Sequence, residues 1–334
     1  MEQAVNSILR QSYKNLEIIV IDDGSQDKTL EKLYSFSDSR IKVYSNRYNL
    51  GYLQTVNSAF DLCSGKYIGF QDADDVSHPE RIESQVRALE NNSGASVALT
   101  QCIYQMAGKE AKKTASSFPA KKIEAVKKLL SGETKIFCGA SIVVKRAALL
   151  RVGKFRLLFD RVGAEHVDWF FRALRTEDFV TIDRPLYIYK IHPNSFSRTL
   201  SENPLKFHSL QLALLSFIVF HETGVDPLSD DELTNIITSS IVEPYFKDKG
   251  RFKYAIGLNH LRNENSLAAI QTTLDCFLEG RVYLGLKLFL TSVFYLGILK
   301  WLPEQFTRTI ISKRNLIFVR KIRLLINSNS GRYL

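Results

Sequence analysis

The sequence predicts an α/β protein: a doubly wound, mostly parallel sheet flanked by helices, followed by a helical C-terminal extension. Three observations predict it. Short β-branched runs alternate with amphipathic stretches at the spacing of βα units through the N-terminal half. Two of these runs stop abruptly in carboxylates, Asp22-Asp23 and Asp72-Ala73-Asp74-Asp75, where an open α/β sheet gathers its ligands beyond the carboxyl ends of its strands. From residue 203 onward the pattern is helical throughout.

The elements follow in order. Residues 2–12 read as a helix with Ala4, Val5, Ile8 and Leu9 on one face. The run 16–21 is a strand covered on both sides. Gly24 breaks it, and Ser25 or Asp27 can cap a helix over 28–36. A second strand covers 41–44, a loop 46–51 and a helix 52–62. Gly65 turns the chain into a strand at 66–70 that leads into the acids, and 79–91 is helical. Residues 96–104 form a strand, 107–122 a Lys-rich surface loop, 123–131 a helix, 141–145 a strand and 147–151 a helix. A helix over 163–175 precedes a strand at 180–189, broken by Pro185. The chain opens on a helix where a doubly wound sheet would first place a strand, so the sheet is expected to lack an edge element or the coding sequence to begin too late.

Composition narrows the class. At 334 residues and 45% hydrophobic content, the chain can hold a large core and is not disordered. Cys63, Cys102, Cys138 and Cys276 lie far apart with no CxxC pair, which argues against a zinc site or disulfide scaffold and fits a reducing compartment. Residues 1–11 are polar and amphipathic, unlike a secretory leader. The net charge of +10 is uneven: residues 281–334 hold ten Lys/Arg and one acid, +9, leaving +1 for the rest. The basic character belongs to this tail, and no base-stacking motif accompanies it, so nucleic acid is not an expected partner.

Asp72, Asp74 and Asp75 repel one another unless a cation lies between them. Hard carboxylate oxygens suit Mg²⁺ or Mn²⁺, ions that bridge to phosphates. The competing reading is a solvated turn that caps the following helix.

The ordered set Gln11-Ser-Tyr-Lys-Asn-Leu-Glu17, Val20-Ile-Asp-Asp-Gly-Ser-Gln-Asp27, Asn49-Leu-Gly51, Gln71-Asp-Ala-Asp-Asp75 and His78-Pro-Glu-Arg81 resembles the family 2 glycosyltransferases, inverting nucleotide-sugar enzymes of GT-A fold. The resemblance covers roughly residues 2–200. It implies a nucleotide-diphosphate sugar donor, UDP-linked in the first instance, a saccharide or lipid-linked saccharide acceptor, and a role in cell-surface polysaccharide or lipopolysaccharide synthesis. By the same resemblance Asp22, Asp23, Asn49 and Gly51 contact the nucleotide. Asp74 and Asp72 are the metal pair, with Asp72 also reaching ribose. Within Glu165-His166-Val-Asp168, His166 stands at the position of the usual base, with Glu165 and Asp168 as alternatives. His192 is a candidate ligand for the metal and Arg198 a partner for the diphosphate. Three departures stand out: the family's opening strand is absent, Thr55-Val56-Asn57 replaces Ala-Arg-Asn, and Glu165-His166 replaces Glu-Asp. Trp169, Phe170 and Phe171 are read as core residues or an acceptor platform.

The expected domains are a catalytic domain at 1–200, a helical extension at 201–280 and a basic apolar tail at 281–334. In the tail the uncharged run 288–299 has only twelve residues, short of the ~20 that span hydrocarbon. Basic residues interleaved with apolar ones fit a helix lying on an anionic membrane surface, at the inner face of the plasma membrane. A catalytically inactive nucleotide-binding or membrane-surface scaffold protein of the same shape is the alternative.

Overall fold

The computed structural model describes residues 1–106, 112–114, 119, 121–131, 138–191, 203–262, 266–279, 284 and 288. Its contacts divide the chain into two compact units, Met1–Pro193 and Asn194–Leu334. His192 and Arg198 lie outside the described residues, as does nearly all of the basic tail.

The first unit opens with helix α1 (Glu2–Leu9), which buries Ala4, Val5 and Ser7. Strand β1 (Ile18–Asp22) pairs in parallel with β2 (Ile41–Ser45) across helix α2 (Thr29–Tyr34), a right-sized βαβ crossover. Helix α3 (Tyr52–Leu62) follows, then β3 (Tyr67–Gly69), β4 (Val76–Ser77) and helix α4 (Arg81–Asn91). The long strand β5 (Ala95–Met106) carries a short β6 (Lys112–Thr114), and α5 (Lys122–Leu130) comes next. Strand β7 (Val143–Lys145), α6 (Arg146–Val152), α7 (Glu165–Thr176) and β8 (Asp178–Ile191) complete the unit.

The α/β class stands: β1 and β2 form a parallel two-stranded sheet, and the second sheet, of six strands, combines parallel and antiparallel pairs. Strands run in the order β3-β7-β5-β8-β4, with β6 on β5. Only β1/β2 and β5/β8 pair in parallel among the described residues; β3/β7, β5/β7, β4/β8 and β5/β6 are antiparallel. Pro185 does not end β8. Thr100 pairs with Ile182 and Gln101 with Pro185, so the strand bulges past Asp183 and Arg184 and continues to Ile191.

The core lies between α4 and the sheet. Ile82, Val86 and Leu89 recur at helical spacing and pack on Ala95, Ala98 and Val143. Trp169, Phe170 and Phe171 are buried at 0–1% exposure, so the aromatic run is core and not an exposed platform. All four cysteines are free thiols.

In the second unit, α8 (Leu205–Thr223), α9 (Asp231–Lys247), α10 (Lys249–Arg262) and α11 (Ser266–Leu278) bear out the helical expectation. Leu288 is buried with Ala269 and Cys276, a core contact at the start of the tail's apolar run. Among the described residues no helix is long and apolar enough to cross a membrane.

Candidate functional site

Two turns at strand ends organise the site. At the end of β1, Asp22 is 4% exposed. Its Oδ2 accepts only long bonds, from the Ser25 backbone N–H at 3.2 Å and the Ser45 hydroxyl at 3.3 Å. Its Oδ1 is buried with no hydrogen-bond partner. A buried carboxylate oxygen left unpaired carries a desolvation cost of roughly 1–3 kcal/mol or more, which a ligand's hydroxyl or imide N–H would relieve.

Asp23 has a different job. Its Oδ1 accepts from Asn46 Nδ2 at 2.8 Å and the Leu50 N–H at 2.9 Å, and its Oδ2 from the Gly51 N–H at 3.0 Å. Burial works against its charge, but these bonds hold its carboxyl below the usual range. The carboxylate thus fastens the loop 46–51 onto the β1 turn. The turn and the loop touch backbone to backbone: a Cβ on Gly24, which has φ +74°, would stand 2.6 Å from the Tyr48 carbonyl carbon. Gly51, at φ +98°, starts α3 and lies against the Asp160 carboxylate, which accepts the Leu53 N–H at 3.1 Å. Asn49 accepts from Arg161 at 3.2 Å. Asp160 and Arg161 were not legible as site residues, because their partners lie about a hundred positions earlier.

The second turn runs from Phe70 to Val76. Asp72 Oδ1 accepts from the Tyr52 hydroxyl at 3.2 Å. Burial raises the Asp72 carboxyl; His166 counteracts this, while Asp74 and Glu165 add to it. Asp72, Asp74, Glu165, His166 and Tyr52 therefore feel one another's charge within one neighbourhood. Asp74 is exposed and lines a cavity of about 270 Å³ with Met1, Glu2, Gln3, Thr29, Lys32 and Ala73. Asp75 does not cap α4. It is fully buried and accepts the Lys190 N–H of β8 at 2.8 Å, and burial lifts its carboxyl to about 7.

The start of α7 brings the third part. Glu165 Oε1 meets His166 Nδ1 at 3.1 Å. The His166 ring stands edge-on to Phe70 and Phe155, centroids at 5.6 and 5.0 Å, and its Nε2 is buried without a partner. Burial opposes the imidazolium, but Glu165 and Asp72 outweigh it and raise the His166 pKa. Gly139 permits this packing: a Cβ there would come within 2.8 Å of His166 Cγ. Asp168, three residues on, faces elsewhere. It is 1% exposed and binds Arg156 Nη1 at 2.7 Å and Arg172 Nε at 3.0 Å.

The donor set fits a divalent cation in part. Asp72 and Asp74 supply hard oxygen donors that repel each other, and Mg²⁺ or Mn²⁺ is commonly held by one or two carboxylates plus substrate phosphates. Among the described residues no group of three His, Cys, Asp or Glu side chains surrounds a single point, so the protein would contribute this pair and no closed cage.

Comparison with known proteins bears on the family. A profile for "Glycosyl transferase family 2" matches residues 1–153. EpsE of Bacillus subtilis, assigned as a glycosyltransferase, is 30% identical over 200 residues, 58% of this chain and 69% of that protein. The chain belongs to glycosyl transferase family 2. Other glycosyltransferases match over shorter stretches. An uncharacterized glycosyltransferase of Haemophilus influenzae is 48% identical over 94 residues, covering 28% of this chain and 29% of that protein. WfgD of Escherichia coli, a UDP-Glc:alpha-D-GlcNAc-diphosphoundecaprenol beta-1,3-glucosyltransferase, is 39% identical over 90 residues, 27% of this chain and 36% of that enzyme. These matches span only about a third of the length of either relative. The crystal structure of residues 1–349 of S. aureus TarS shares the fold, with a TM-score of 0.53 at 15% identity, covering 87% of this chain and 85% of that one.

Proposed function

We propose that this family 2 protein transfers a sugar, with inversion, from a nucleotide-diphosphate donor to a saccharide or lipid-linked saccharide acceptor. The observation that carries the reading is the acidic turn itself: Tyr52, reaching over from α3, donates its hydroxyl to Asp72 Oδ1 at 3.2 Å, and Asp74 and Glu165 lie near enough to act on the same phenol. The bound ion would neutralise the leaving diphosphate, with Asp72 and Asp74 as its protein ligands. Asp22, through its unpaired Oδ1, accepts a hydrogen bond from the ribose or base. Asp23 and Gly51 shape the loop beside it.

Glu165 is the group suited to take the acceptor hydroxyl's proton. Its carboxyl, opposed by burial but stabilised by His166, sits below its usual pKa and is ionised at neutral pH. His166 is the less accessible group, since its Nε2 is buried among rings and its Nδ1 is engaged by Glu165. It therefore holds and orients Glu165. As Glu165 accepts the proton, the acceptor oxygen bonds to the anomeric carbon from the face opposite the diphosphate, and the bond to the diphosphate breaks. Asp168 braces α7 through Arg156 and Arg172.

UDP is the favoured nucleotide, and surface polysaccharide synthesis the favoured setting, because WfgD uses UDP-Glc and a diphosphoundecaprenol acceptor. The ten Lys/Arg of residues 281–334 would hold the enzyme on an anionic membrane surface. The test is release of nucleotide from a panel of nucleotide sugars with Mn²⁺ and mixed acceptors. Glu165→Gln should lower turnover by roughly 10²–10⁴-fold and leave donor binding intact. Undiminished turnover in that variant would remove Glu165 from the role of base.

A further inference from the structure

Behind the acidic turn lies a buried polar network that none of the transfer steps uses. Arg81, the first residue of α4, is 1% exposed. Its Nη2 donates to the Phe70 carbonyl at 2.9 Å and its Nη1 to the Ala140 carbonyl at 3.4 Å. Its guanidinium lies over the Tyr187 ring, 5.2 Å from the centroid. Tyr187, on β8, is fully buried, and its hydroxyl accepts the Asp72 N–H at 3.2 Å. Asp75 ties the far end of the turn to the same strand through the Lys190 N–H. The turn is thus gripped through its backbone at Phe70 and Asp72 and through the Asp75 carboxylate, on both sides of Asp74. Ala140, whose carbonyl Arg81 also binds, belongs to the short turn Gly139–Ser141, and Gly139 in that turn backs onto His166.

Burying a guanidinium costs several kcal/mol, and apolar residues often serve stability as well or better. Two neighbouring carboxylates on an unbraced turn would swing apart, since like charges repel. We infer that Arg81 and Tyr187, with Asp75, are positioning residues that clamp the Phe70–Val76 turn so that Asp72 and Asp74 stay close enough to share one divalent cation. This rests on the function proposed above. Groups that orient metal ligands typically change metal affinity by roughly 10–100-fold when removed.

The test is Mn²⁺ titration of the full chain with UDP present, followed by electron paramagnetic resonance, with thermal unfolding read in parallel. Tyr187→Phe deletes one hydroxyl and keeps the ring beneath Arg81. It should weaken Mn²⁺ binding at least tenfold and broaden the spectrum of bound Mn²⁺, while the unfolding transition stays cooperative. Arg81→Met, which removes the bonds to Phe70 and Ala140 but keeps apolar bulk, should do the same and serves if Tyr187→Phe does not fold. Mn²⁺ affinity within twofold of wild type in either folded variant overturns the clamp. Failure of the wild-type chain itself to bind Mn²⁺ overturns the proposed function and the clamp with it.

Discussion

Asp22 and Asp23 are adjacent, both acidic and both at the tip of β1, yet removing each should have opposite consequences. Asp23→Ala strips acceptors from two backbone N–H groups and the Asn46 amide, at 2.8 to 3.0 Å. Hydrogen bonds to a charged group net roughly 1.5–3 kcal/mol each. Water can replace part of this in a half-exposed loop, so the expected cost is about 2–4 kcal/mol. In a domain of this size that lowers the unfolding temperature by about 4–16 °C. Asp22→Ala removes a buried carboxylate with an unpaired oxygen and two bonds of 3.2 and 3.3 Å. Its loss should change stability by less than about 1 kcal/mol, in either direction. UDP affinity should nevertheless fall at least about tenfold, the equivalent of one lost charged hydrogen bond. Denaturant unfolding and UDP titration of the two variants read both effects. Equal destabilisation by the two changes, with UDP binding intact in Asp22→Ala, would refute the division of labour.

Three further expectations can be checked separately. Gly139→Ala should cost about 1–3 kcal/mol by overpacking against His166, and turnover should fall with it; a neutral result in unfolding and kinetics would show that His166 is not held there. Asp168→Ala leaves Arg156 and Arg172 without their shared carboxylate and should destabilise by about 3–5 kcal/mol, whereas unchanged stability with lost turnover would make Asp168 a catalytic group. Glu17 is opposed by burial, but bonds from Ser64, Lys42 and Gly65 bring its pKa from 4.5 to about 2. A folded pKa below the unfolded one gives stability that is present above pH 4.5 and lost as pH falls towards 2. That shift corresponds to at most about 3 kcal/mol, so unfolding between pH 5 and 2 should be steeper in wild type than in Glu17→Gln, and parallel curves would contradict it.

Local pattern carried much of the fold. Helix α3 and strands β1, β2 and β5 fall close to where periodicity and β-branching put them, and the two acidic turns sit at strand ends as expected. Strand direction did not follow, because pairing is set between distant segments: β7 runs antiparallel to both β3 and β5, which no local pattern encodes. Strand β4 has two residues, too few to show a period. In the site, the acids at 22, 23, 72 and 74 were visible as clusters, but their different tasks were not. Asp23 is spent on a loop more than twenty residues later, and Asp72 meets Tyr52 and Tyr187 from remote elements. Asp168 was read as an alternative base; its ion pairs with Arg172, four residues on along the same helix, and with Arg156, from the preceding loop, came only with the structure.

The most direct measurement is calorimetric titration of UDP into the wild-type chain and into Asp74→Asn, each with Mn²⁺ and with a chelator. The expected result is UDP binding by wild type that needs Mn²⁺ and is lost or weakened at least tenfold in Asp74→Asn. Equal UDP affinity in all four titrations, or none in any, would contradict a cation-bridged nucleotide at the acidic turns.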